Sequence, residues 1–112
     1  MPRNSRDNSL SKFQEIKGMA KTYSLRDKYL SPTAVITTKY ARNVLSQIIH
    51  INKVMDVLCE PYRTIISKTF FEAETSNRCW WVGCYSKTTF YRLRSKAINS
   101  FLLAYQTKWN ID

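Results

Sequence analysis

The sequence predicts a small all-α domain, and three observations lead there. Only two glycines, Gly18 and Gly83, occur in 112 residues, too few for a turn-rich β fold or for a Gly-rich phosphate loop. Apolar residues between Thr37 and Leu58 recur at intervals of three and four, the period of a helix. Two Ser-led segments, Ser31-Pro32 and Ser86-Lys87, have the chemistry of helix starts. The hydrophobic share of 44% supports a packed core. A chain this short buries only a modest core, which argues against a large enclosed substrate cavity.

Taken in order, residues 1–30 read as a basic N-terminal arm holding a short helix. Its first ten residues are polar and loose. Ser11 to Lys21 read as a short amphipathic helix through Phe13, Ile16 and Met19, weakened by Gly18. Residues 31–59 form a long amphipathic helix. Ser31 caps it, Pro32 fits its first turn, and Thr37, Ala41, Val44, Ile48, Ile51, Met55 and Leu58 make one stripe. Pro61 ends that helix, because the residue before a proline disfavours helical geometry. Residues 60–112 start with a second helix carrying Ile65, Ile66, Phe70 and Phe71, followed by a polar connector over 72–77. A short helix from Arg78 to Val82, a tight turn at Gly83-Cys84-Tyr85 and a last helix from Lys87 to about Gln106, capped by Ser86, complete the chain.

The last helix has two faces. Phe90, Leu93, Ala97 and Phe101, with Leu102 and Leu103 beside them, point inward. Thr88, Tyr91, Arg92, Ser95 and Lys96 face away. Cations, hydroxyls and an aromatic ring on one helical face suit a major groove: Arg bonds guanine O6 and N7 together, a Thr methyl touches a thymine methyl, and Ser or Tyr bonds phosphates or bases.

Charge supports a polyanionic partner. The formal net charge is +10, carried as +4 on residues 1–32, +1 on residues 33–75 and +5 on residues 76–112. The three cysteines, Cys59, Cys79 and Cys84, are an odd number, which fits reduced thiols in the cytoplasm better than a disulfide framework. No segment approaches the ~20 apolar residues of a membrane span, and the polar start is unlike a secretory signal. The expected location is therefore the cytoplasm, associated with the nucleoid.

Several residues have side chains capable of other chemistry. Cys79, Cys84, Cys59 and His50 do not follow the paired spacing of a zinc finger, so no metal site is expected. His50, within Ile48-Ile49-His50-Ile51, has no nucleophile supplied by motif and reads as a structural or exposed helical residue. Glu60 suits the positive end of a helix dipole. Trp80 and Trp81 fit either packing between helices or stacking on bases. No catalytic residue and no cofactor are expected, and the chain reads as a binding protein rather than an enzyme.

Two segments resemble a known family. The run Leu58-Cys59-Glu60-Pro61-Tyr62-Arg63-Thr64-Ile65-Ile66, with Lys68-Thr69-Phe70-Phe71, resembles the opening helix of a sigma-70 region 4 module. Trp80-Trp81, followed by Tyr85-Ser86-Lys87-Thr88-Thr89-Phe90-Tyr91-Arg92, is similar to the small phage-type (ArpU/RinA-like) transcriptional regulators of Gram-positive bacteria and mollicutes. The resemblance spans roughly residues 57–105. It departs from the usual pattern in having Trp80 where a small residue is common and Gly83 one position early. It implies a helix-turn-helix over residues 60–112, with a recognition helix starting at Ser86. Contacts to double-stranded DNA would fall on Lys87, Thr88, Thr89, Tyr91, Arg92, Ser95 and Lys96. It also implies regulation of transcription and a contact with RNA polymerase. The stripe within residues 37–58 fits either packing on the C-terminal helices or symmetric pairing into a homodimer. The rival reading is a basic RNA-binding protein, or a structural accessory of the ribosome or polymerase, served by the same charge.

Overall fold

The structure is a computed structural model that describes residues 5–72 and 77–107, with residues 5–9 described in backbone only. Every regular element among the described residues is helical: α1 (Ser5–Tyr23), α2 (Arg26–Tyr29), α3 (Lys39–Val57), α4 (Tyr62–Ile66) and α5 (Lys87–Gln106). α4 runs on into a π-helical turn, Ser67–Phe71. The all-α expectation holds. Residues 1–4, most of the 72–77 connector and the chain after Thr107 lie outside the described residues.

α1 is longer than its apolar pattern suggests. The backbone is already helical at Ser5, inside the segment expected to be a loose arm. Its buried anchor is Ile16, fully enclosed, with Phe13 and Met19 packed beside it. At its far end the Tyr23 hydroxyl donates to Asn52 Oδ1 of α3, and burial pushes that phenol above its ordinary value.

α3 starts later than Ser31-Pro32 suggests. Ser31 organises a local turn, accepting from the Thr33 N–H through its hydroxyl (3.2 Å) and from the Ala34 N–H through its carbonyl (3.1 Å). The chain then stays non-helical through Thr37, and Thr38 is the cap, its Oγ1 accepting from the Ala41 N–H at 3.0 Å. Five of the six residues Thr33 to Thr38 are β-branched and lose side-chain freedom in a helix. Val35, 77% exposed, has no packing to offset that cost. Thr37 is exposed and drops out of the stripe. The rest of the stripe is buried or half-buried, with Val54 added.

Leu58 leaves the helix in extended geometry. Arg63 then reaches back from α4 to close the end of α3, its Nε donating to the Met55 carbonyl (2.9 Å) and its Nη2 to that of Asp56 (3.2 Å). Those carbonyls have no partner within the helix. At the start of α4, Glu60 Oε1 accepts from the Thr64 hydroxyl at 2.6 Å and from its N–H at 3.3 Å, as its charge at a helix start suggests.

One core joins the three segments read from the sequence. Ile16, Ile51, Val54, Leu58, Ile65, Ile66, Phe70, Phe90, Ala97, Ile98, Phe101 and Leu102 form a contiguous apolar cluster. α5 lies against α1, α3 and α4, most extensively against α4. Half-buried His50 of α3 ties down the end of α5, with Nε2 2.7 Å from the Tyr105 carbonyl oxygen and the two rings 4.4 Å apart, edge to face. Apart from Thr37, the α3 stripe is thus buried or half-buried within this chain, where α3 packs against α1, α2 and α5.

Candidate nucleic-acid interface

α5 begins as its sequence suggests. Ser86 is extended, and its Oγ accepts from the Thr89 N–H at 3.2 Å. The helix runs from Lys87 to Gln106. Phe90, Ala97, Ile98, Phe101 and Leu102 anchor it in the core, with Leu93 half-buried. Leu103, grouped with the inward side, is instead 70% exposed. This anchoring fixes which face of α5 meets solvent.

The segment before the cap departs from the expected short helix. Residues 78–84 form successive turns, with N–H to carbonyl bonds Trp80 to Asn77, Val82 to Cys79 and Cys84 to Trp81, each 2.9 to 3.0 Å. The side chain of Asn77 also accepts from the Cys79 N–H at 2.9 Å. So short a stretch gains little from helical cooperativity. Its position comes from aromatic packing on Phe90. Trp81 stacks on that ring at 4.5 Å and 5°, and Trp80 meets it edge-on at 5.7 Å and 88°. Tyr85 adds a third contact at 6.4 Å. Both tryptophans therefore pack within the protein, while Cys59, Cys79 and Cys84 are exposed free thiols.

The solvent face of α5 carries Lys87, Thr88, Tyr91, Arg92, Ser95 and Lys96, six of the seven residues expected there. Thr89 is half-buried and lies on the flank. Thr88, Arg92 and Ser95 follow one another at steps of four and three along a single stripe. No acidic residue interrupts α5. Tyr91 is held on three sides, by Trp81 (5.9 Å), Phe90 (5.4 Å) and the Arg94 guanidinium (4.8 Å).

Arg94 looks like its neighbours in the sequence but does not share their face. Its guanidinium sits 4.9 Å from the Phe13 ring of α1 as well as against Tyr91. Desolvation there lowers its pKa from the usual arginine range, and Tyr91 partly offsets this. It remains a cation held between two rings, a packing role. A second link between α1 and α5 was not anticipated: Lys12 Nζ donates to Asn99 Oδ1 at 2.8 Å. Asn99 continues the Thr88-Arg92-Ser95 stripe by one more turn, a spacing visible in the sequence, whereas nothing local marks Lys12.

Among the described residues no group of three His, Cys, Asp or Glu side chains is placed to hold a metal ion. No described helix is long and apolar enough to cross a membrane. No protein-family model, curated protein or solved structure matches the chain.

Proposed function

We propose that this protein binds double-stranded DNA in a sequence-specific manner and regulates transcription, acting as a binding protein without catalysis. The observation that carries the reading is the solvent face of α5. A Ser-capped helix, rigidly seated by Phe90, Ala97 and Phe101, presents Lys87, Thr88, Arg92, Ser95 and Lys96 together with no carboxylate among them. Arg92 and Thr88 are the residue types that read guanine edges and thymine methyls. Lys87 and Lys96 supply sequence-independent attraction to phosphates. A net charge of +10 steers the whole molecule to a polyanion and supports a nucleoid location. The likeness of residues 58–71 to a sigma-70 region 4 opening helix supports a further contact with RNA polymerase.

The test is equilibrium binding at fixed salt to a duplex selected from a random DNA library, the same sequence as duplex RNA, and each single strand. Strong preference for the DNA duplex supports the reading, because the deep, narrow major groove of A-form RNA does not admit this helix face. Tighter binding to single strands or duplex RNA would overturn it in favour of an RNA-associated accessory protein.

A further inference from the structure

We infer that α1 is a second phosphate-gripping element of the same interface, with Lys12 as its contact and Asn99 as the residue that positions it. The inference rests on the DNA reading above and extends it to a helix with no likeness to the family. α5 carries its cations in its first half only: from Ala97 to Thr107 there is no charged side chain. The C-terminal end of a helix is also the negative end of its dipole. Alone, that half of the solvent face would attract phosphates poorly. The fold places one cation there by laying α1 across α5, so that Lys12 Nζ meets Asn99 Oδ1 at 2.8 Å on the exposed stripe, with the Glu15 carboxylate of α1 acting further along, on Tyr105. A lysine ammonium only donates, so Asn99 necessarily turns its carbonyl oxygen to Lys12. The contact of Phe13, the next residue, with Arg94 holds α1 in place there.

The spacing suits a duplex. From Ser86 to Asn99 the helix rises about 20 Å, whereas the major groove is about 12 Å wide. A helix centred on Arg92 and Ser95 therefore reaches both rims with its ends. The Ser86-Lys87 end meets one strand's phosphates, and the Asn99 end, with Lys12 beside it, meets the other's. Lys12 keeps two ammonium protons free of Asn99 for a phosphate oxygen.

The experiment compares the full chain with Lys12→Met, which keeps the aliphatic stem and removes the charge, with Lys12→Arg, and with Lys21→Met as a control on the same helix. Affinity for a selected duplex and a scrambled one is measured between 50 and 200 mM salt, with folding checked by circular dichroism. One phosphate contact contributes a slope of about 0.9, so over this fourfold range wild-type affinity should fall about 3.5-fold more than that of Lys12→Met. The change should be equal on both duplexes, restored by Lys12→Arg and absent in Lys21→Met. Asn99→Ala should weaken binding to both duplexes alike and keep the wild-type slope. Parallel slopes for wild type and Lys12→Met, with wild-type discrimination between duplexes intact, would overturn this inference alone. An equal slope change in Lys21→Met, or a base preference altered by Asn99→Ala, would overturn it too. Wild type that does not distinguish the two duplexes would instead remove the DNA-reading proposal on which it rests.

Discussion

Replacing Phe90 with alanine removes the ring on which the approach to α5 is built. The side chain is 3% exposed and belongs to the central core. It is also the ring that both Trp80 and Trp81 pack against. Phe to Ala in a core costs about 3–5 kcal/mol. The lost stacking falls within that range rather than adding to it, because Trp81 and Trp80 relax together. For a domain of this size each kcal/mol lowers the melting temperature by roughly 4–8 °C. A loss of about 4 kcal/mol should therefore lower Tm by roughly 20 °C, within a total stability of about 5–15 kcal/mol. Thermal unfolding followed by circular dichroism measures this directly. The near-ultraviolet signal of the tryptophans should weaken in the folded variant. Phe90→Leu, which keeps much of the volume, should lose less Tm but the same aromatic signal. A Tm within about 2 °C of wild type for Phe90→Ala would show that the ring is not in the core. The face assignment of α5, and with it the proposed interface, would then be rotated.

Two further predictions follow from local chemistry. Ser86→Ala should destabilise by about 1 kcal/mol, a Tm loss of several degrees, because the Thr89 N–H loses its acceptor; Ser86→Asp should recover most of it, and a Tm equal to wild type for Ser86→Ala would remove the cap from the account. Alkali should destabilise the fold: burial raises the phenols of Tyr23 and Tyr105 above their ordinary 10.0, so they stay neutral when folded. Their contribution is full below pH 10 and falls as pH rises past it, because the unfolded chain ionises first. Denaturant midpoints measured from pH 8 to 11 should decline less steeply for Tyr23→Phe than for wild type, and an identical decline would rule out a burial-raised phenol at Tyr23.

What was legible in the sequence was local. The bounds of α5 follow from one hydroxyl and an apolar pattern within the same twenty residues, and both survive folding. The buried stripe of α3 is likewise periodicity that any covering layer would use. Its start differs from the expectation because Ser31-Pro32 has cap chemistry, while the deciding factor is the β-branched run after it, whose Val35 is left exposed. The same limit applies to Arg94. Arg92 and Arg94, two residues apart on one helix, point about 200° apart, which periodicity already separates; that Arg94 packs on Phe13, distant in sequence, is what no local pattern shows. Lys12 and Asn99, 87 residues apart, meet only because α1 packs across α5. The 78–82 segment shows the reverse: its tryptophans carry a strong helix-packing signal, yet one aromatic ring holds them as a series of turns.

The most direct test of the central claim is to capture genomic fragments bound by the wild type and by Arg92→Ala, and to sequence them. Arg92 lies at the middle of the exposed stripe and does not support the core. If it reads a base, its loss should weaken preferred sites more than random DNA by roughly 1–3 kcal/mol, about 5- to 150-fold. The account predicts discrete wild-type sites near promoters that disappear in the variant. Diffuse enrichment by the wild type, or the same sites retained at the same strength by Arg92→Ala, would contradict it.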